Sequence, residues 1–197
     1  MTGTPAMTKT TDLQRCHWAT TDALLRDYHD TEWGVPLHDD RALFEFLCLE
    51  GAQAGLSWRT VLAKRDNYRK AFHHFEIARV ATMTDRELEK LLLDSGIIRN
   101  RLKVSATRDN AIAALEVIRE FGSLDVYLWS FVDGKTLVNR WRDKGEVPAS
   151  TELSDRMSKA LKKRGFRFVG TTICYSLLQA TGMINDHLLT CFRHRQV

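Results

Sequence analysis

Two groups of residues in the sequence need a chemical explanation: one glutamate in an apolar setting, and cysteines paired with histidines at the two ends of the chain. The glutamate is Glu50, in the stretch LCLEGAQAGLSW over 47–58. Read as a helix, Leu43, Phe46 and Leu47 form an apolar face, and Glu50 falls three and four residues after the last two, on that face. A carboxylate turned towards a core is unfavourable unless a partner or a ligand compensates it. The residues alone leave two roles open: a buried glutamate that caps a neighbouring helix or pairs with an arginine, or a group that lines a pocket.

The four cysteines are Cys16, Cys48, Cys174 and Cys191. Cys48 and Cys174 have apolar helical neighbours and read as small buried hydrophobes. Cys16 and Cys191 lie in polar surroundings, each with a histidine in reach: His29 thirteen positions after Cys16, and His187 four before Cys191. On a helix, residues four apart share a face, so the second pair could grip one ion. Two thiolates and two imidazoles close a tetrahedral shell around zinc, a structural site with no open position. His17, His38, His73, His74 and His194 remain alternative ligands. One ion held this way would tie the two ends of the chain together.

The elements that must position these groups read as almost wholly α-helical. Prolines number three, and apolar residues recur at helical spacing. TDRELEKLLLDSG carries Thr84 as N-cap, Glu87 completing a capping box, and Gly96 as a stop. STELSDRMSKALKKRG repeats the grammar, with Ser150 or Thr151 as starter and Gly165 as terminator. Further helices are expected over about 20–32, 39–51, 57–65, 67–74, 98–120, 124–131 and 171–182, with an irregular or short extended piece over 133–150. Residues 1–12 read as a mobile tail, and 13–197 as one compact helical domain, in one body or two lobes around a cleft.

With 44% hydrophobic and 27% charged residues and a formal net charge of +4, the composition is that of a globular protein suited to an anionic partner. Basic residues cluster in KALKKRGFR, around Lys162, and in IIRNRLKV, with Arg99, Arg101 and Lys103. Either cluster also fits a solvated helix face. No apolar run is long enough to span a membrane, and the N-terminus lacks the apolar block of a signal peptide. A cytoplasmic monomer is expected.

Taken together, RCHW, YHDTEWGVP, LFEFLCLEGAQAGLSW, GIIRNRLKV, ALKKRGFRFVGTTICYSLLQATG and NDHLLTC resemble the 3-methyladenine DNA glycosylase I family, in order from about residue 15 to 191. The resemblance implies an all-α fold of the helix-hairpin-helix glycosylase superfamily, with one structural zinc ion on Cys16, His29, His187 and Cys191. It also implies a monofunctional enzyme that flips 3-methyladenine out of alkylated double-stranded DNA, hydrolyses its N-glycosidic bond and leaves an abasic site.

In the family, the positions of Glu50, Tyr28 and Trp58 form the base pocket, and Trp18 and Trp33 are further candidates for its walls. The base departs as a cation, so an ionised Glu50 would select and hold it, without acting as a general acid. Aromatic faces would add cation–π attraction of roughly 0.5–2 kcal/mol each. Gly55, Leu56 and Ser57 form a short interruption whose leucine can wedge into the gap left by a flipped base, while Ser57 caps the next helix. The hairpin falls on LLLDSGIIRNRLKV, where Gly96 and Ile97 make the turn and Arg99, with Lys162 from the other basic cluster, meets phosphate.

Two departures from the family pattern stand out. His17 replaces the usual glycine between Cys16 and Trp18, and Leu25 stands where members often carry an aromatic. The second leaves an alternative open, a non-catalytic helix-hairpin-helix DNA-binding module that has lost its pocket. Asp109 follows the hairpin, but the resemblance gives it no water-activating role.

Overall fold

The computed structural model describes residues 13–197, so the stretch 1–12 lies outside the described residues. Ten α-helices and two two-residue strands carry the described chain. α1 (Ala23–Thr31) starts at Asp22, whose carboxylate accepts the Leu25 N–H. α2 (Asp40–Gln53) starts at Asp39 in the same way, through the Ala42 N–H. Such caps satisfy amides that a helix leaves bare at its first turn, each contributing about 1 kcal/mol.

α2 is the centre of the molecule. Around it pack α3 (Trp58–Leu62), α7 (Arg101–Phe121), α8 (Leu124–Trp129) and α10 (Thr171–Ala180). Every residue from Leu43 to Ala52 is buried, so α2 has no solvent face to oppose an apolar stripe. Two carboxylates therefore enter the interior on one helix. Glu45 is matched by Arg65 and Arg69 of α4 (Arg65–Ala71). Glu50 has no such partner, which excludes the arginine-paired reading of this residue.

The start and stop signals are mostly where the sequence puts them. Thr84 and Glu87 close the capping box of α6 (Asp85–Leu91). Thr151, not Ser150, caps α9 (Glu152–Lys163), and Ser154 completes its box. Gly165, with φ of +89°, follows that helix in a conformation that glycine adopts without strain. α6 stops at Leu91, five residues before Gly96, so that glycine belongs to the connection and not to the helix end. α7 starts at Arg101 because the Asn100 side chain takes the Lys103 N–H.

One helix was not anticipated. α5 (Ile77–Ala81), five residues long, is too short to show a helical period, and it packs on α7. Within 133–150 the short extended piece exists as β1 (Leu137–Val138), paired in parallel with β2 (Ile184–Asn185). That pairing holds the 139–150 loop against the segment that carries His187. Among the described residues no helix is long and apolar enough to cross a membrane.

Candidate active site and metal centre

Tyr28 and His29 are neighbours on α1, about 100° apart around its axis, and they serve different sites. His29 turns to a buried cluster with Cys16, His187 and Cys191, whose ligand atoms all lie within 4.8 Å of one another. Cys191 Sγ is 3.4 Å from His29 Nε2 and 3.4 Å from His187 Nδ1, and Cys16 Sγ is 3.7 Å from His187 Nδ1. Metal–ligand bonds of about 2.3 Å to sulfur and 2.0–2.1 Å to nitrogen, at tetrahedral angles, require S···N edges of about 3.6 Å. The three S···N distances lie near that value, and all four ligand atoms fall within 4.8 Å of one another.

The outward nitrogen of each ring supports the same arrangement. His29 Nδ1 donates to Asp30 Oδ1 at 2.8 Å, and His187 Nε2 donates to the Trp33 carbonyl at 3.1 Å. Acceptors on those sides leave an unprotonated lone pair on the inward nitrogens. The bond between Cys16 and Cys191 lowers the Cys191 thiol far below its ordinary value and raises that of Cys16, and the two imidazoles add to the lowering of Cys191, so one of the two sulfurs is the anion. The cluster thus favours a thiolate, the form that binds metal.

The pair His187 and Cys191 does not lie on a helix. Residues 186–190 run through an irregular turn after β2, in which the Cys191 N–H bonds the Leu188 carbonyl, and that turn brings the two ligands together. The other histidines are elsewhere. His38 pairs with Asp125, His73 with Arg79, and His194 bonds the Asn139 carbonyl, while His17 and His74 are exposed.

Tyr28 turns the other way, into a cleft of about 520 Å³. Trp18, Leu25, Trp33, Glu50 and Trp58 share its lining. The Tyr28 ring centroid is 5.4 Å from that of Trp58 and 6.3 Å from that of Trp18, which meets Trp33 edge-on at 5.1 Å. Aromatic walls at these separations fit a flat ligand.

Three buried polar atoms in this lining have no partner: Glu50 Oε2, the Tyr28 hydroxyl and Trp58 Nε1. Buried polar groups are nearly always hydrogen-bonded, so three orphans in one cleft mark a place for a ligand that supplies the bonds. Burial pushes the Glu50 carboxyl up to about 8 and raises Tyr28 well above its ordinary range, with the nearby Glu50 adding to the second effect. With no cation beside it, burial favours the protonated form of this carboxyl at neutral pH, because nothing solvates the charge.

Leu25 lines the cleft without closing it, so the pocket exists despite the missing aromatic. Gln53, Ser176, Gln179 and Asp186, which no motif singled out, also line it. Gln53 was within reach of the helical period that places it beside Glu50. Ser176 and Gln179 come from α10 and Asp186 from the residue after β2, and no local pattern encodes which face of α10 meets the cleft.

Gly51 lies inside α2. It is helical, and a Cβ there would lie 3.1 Å from Phe168 Cβ, so its role is close packing. Gly55, with φ of +75°, makes the turn that exposes Leu56, and the Ser57 hydroxyl accepts the Thr60 N–H at 3.2 Å to start α3. Between α6 and α7, Ile97 is buried, Arg99 is exposed and the Gly96 N–H is already bonded to Asp94 Oδ1 at 2.7 Å. Lys103, from the same basic cluster, donates to the Ala52 and Ala54 carbonyls at the end of α2. Arg101 pairs with Glu89, and Asp109 with Arg167. Lys162 is exposed on α9.

An all-but-strandless helical body with an aromatic, carboxylate-bearing cleft beside a Cys2His2 cluster defines a ligand-binding helical protein whose ligand is flat and polar at its edge. The sequence model for the methyladenine glycosylase family matches residues 18–194, and the chain belongs to that family. It is 51% identical over 179 residues to DNA-3-methyladenine glycosylase 1 of Escherichia coli K12, covering 91% of this chain and 96% of that protein. A crystal structure of 3-methyladenine DNA glycosylase I superposes with a TM-score of 0.88 at 52% identity, covering 91% of this chain and 98% of the other. The Staphylococcus aureus enzyme, solved to show the structural basis of 3-methyladenine recognition, matches with a TM-score of 0.89 at 36% identity over 91% of this chain and 96% of its own.

Proposed function

We infer that this chain is a monofunctional DNA glycosylase that hydrolyses the N-glycosidic bond of 3-methyladenine in alkylated DNA and leaves an abasic site. The observation that carries this reading is the convergence of three partnerless polar atoms, on Glu50, Tyr28 and Trp58, in one aromatic cleft. Family membership supplies the reaction. Adenine methylated at N3 is cationic while still attached to its sugar and leaves readily. The protein's task is to extract it, recognise it and exclude its neighbours.

Glu50 accepts from the edge of the base, with Trp58 and Tyr28 beside it and Trp18 further along the wall. Entry of a cation reverses the penalty that keeps Glu50 protonated, so binding releases a proton below about pH 8. A neutral base brings no such charge, which gives the cleft a basis for selection.

Leu56, exposed on the Gly55–Ser57 turn next to the cleft, is the wedge for the space that the flipped base leaves. The α6–α7 connection acts as the helix-hairpin-helix element, with Gly96 and Ile97 forming it and Arg99 meeting phosphate, while Lys162 extends the basic surface. A structural zinc ion on Cys16, His29, His187 and Cys191 is supported by the ligand spacing and by the acceptors on both outer ring nitrogens. When bound, it supplies a cross-link between the chain ends and no chemistry on the base.

The test is incubation of alkylated DNA with the protein and with Glu50→Ala, followed by chromatography of the released bases. The wild type releases 3-methyladenine, and the variant loses at least tenfold in rate. Release no faster than the spontaneous background by well-folded wild type would overturn the assignment.

A further inference from the structure

Asp186 immediately follows β2, adjoins His187 and lines the cleft, yet the base-holding groups described above do not include it. Its Oδ1 accepts from Asn139 Nδ2 and Trp141 Nε1, both at 2.7 Å. Its Oδ2 accepts from the Tyr175 hydroxyl at 2.5 Å and from Gln179 Nε2 at 2.8 Å. Two amide NH2 groups and an indole N–H can only donate, so three of these four contacts need an acceptor, and with the Tyr175 hydroxyl they form the donor set that suits a carboxylate. Asp186 is therefore an anion, and only 3% of it is exposed.

A buried anion ordinarily has a cation against it. Among the described residues, none of the ion pairs involves Asp186; its four partners are all neutral. A Cys2His2 zinc site would not compensate it, because two thiolates cancel the charge of the ion. The two basic residues of the cleft, Arg59 and Lys144, are exposed, and Arg59 is already bonded to Asp22 at 2.6 Å. The cleft thus has one uncompensated negative charge in its wall, fixed by a rigid set of donors.

We propose that Asp186 is a specificity-determining residue whose fixed negative charge makes the cleft prefer a cationic base to a neutral base of the same shape. It acts through its field, because its hydrogen-bonding capacity is already spent on the protein. Glu50 differs in having a free oxygen for the edge of the base. The proposal rests on the function inferred above only in requiring that the cleft receives a methylated adenine.

The probes are the 3,9-dimethyladeninium cation and its neutral 3-deaza analogue, in which a carbon replaces N3. Both are titrated at pH 7 against the full-length, metal-replete protein, with tryptophan fluorescence as the signal. Wild type binds the cation at least about tenfold more tightly than the neutral analogue, the scale of one unit charge acting across a partly dry cleft. Asp186→Asn lowers the affinity for the cation by about that factor and changes the affinity for the neutral analogue less than about threefold. Equal losses for both ligands would assign Asp186 a purely structural role and overturn the proposal.

If Asp186→Asn does not fold, Glu50→Gln decides. It removes the other carboxyl charge, so a preference for the cation must survive in it, and loss of that preference overturns the proposal. Two wild-type results separate this proposal from the function it rests on. If base release from alkylated DNA occurs but both probes bind equally, only the role of Asp186 fails. If neither release nor probe binding occurs, the reading of the cleft fails and the role of Asp186 with it.

Discussion

The Asp30 carboxylate holds His29 Nδ1 at 2.8 Å while itself held by Arg15, whose Nε and Nη2 bond it at 2.8–3.0 Å. The chain Arg15–Asp30–His29 thus fixes which nitrogen of the ring is free to face the two cysteines. Asp30→Asn keeps the size and loses the negative charge that makes His29 a better ligand. The expected result is a 10–100-fold weaker zinc affinity with little change in base release at saturating metal, measured by competition with a chelating dye.

The metal itself is the second expectation. The purified protein should contain about one zinc ion per chain, and a strong chelator should lower its melting temperature. Cys16→Ser and Cys191→Ser should each lower stability more than they harm base release in whatever fraction stays folded. A metal-free preparation whose melting temperature is indifferent to chelator would exclude this role.

Gly34 offers a geometric test of the same cluster. Its φ is +81°, and a Cβ there would lie 2.9 Å from His187 Nε2, the atom that bonds the Trp33 carbonyl. Gly34→Ala therefore strains the backbone and pushes on a ligand ring at once. A destabilisation of about 1–3 kcal/mol is expected, larger with zinc than after chelation, because the displaced ring also weakens the site.

These tests fall on residues that the sequence made readable to different degrees. The caps at Thr84 and Thr151 depend on neighbours three residues away, so local pattern located the first and narrowed the second to Ser150 or Thr151. The Cys and His types suggested a metal, but Cys16 and His187 are 171 positions apart and only the folded chain joins them. Glu50 was visible as an anomaly, although its protonation was not, since that follows from burial on all sides of α2 and not from helical period. Asp186 was invisible for the same reason: its donors come from β1's loop and from α10, and no spacing in the sequence brings them together.

Glu50 should leave a signature in stability as well as in binding. Its ordinary value is 4.5 and burial moves it to about 8. Between those values the folded, empty protein binds a proton that the unfolded chain does not, so this residue favours folding at low pH and loses that contribution as pH rises towards 8. Glu50→Gln, a neutral copy of the protonated form, removes the dependence. Denaturation between pH 5 and 9 should show the variant gaining on wild type by a few kcal/mol at the alkaline end and little at the acid end. Parallel curves across that range would mean that Glu50 is ionised in the empty cleft.

Leu56 gives the sharpest separation of base binding from DNA distortion. It is 43% exposed on a turn held from both sides: its N–H bonds the Gln53 carbonyl at 2.6 Å, and Lys103 clasps the carbonyls of Ala52 and Ala54 at 2.8 and 2.6 Å. An exposed leucine on so constrained a turn is poised to fill a gap in a stacked duplex. Leu56→Ala removes apolar surface that makes few contacts within the protein, so the melting temperature should hardly move. Release of 3-methyladenine from duplex DNA should fall at least about tenfold, since the vacated stack is then unsupported. Binding of free 3-methyladenine, read by tryptophan fluorescence, should be unchanged, and Lys103→Met should reproduce part of the duplex defect by loosening the turn. Equal losses in duplex release and free-base binding would mean that Leu56 supports the cleft and does not enter the DNA.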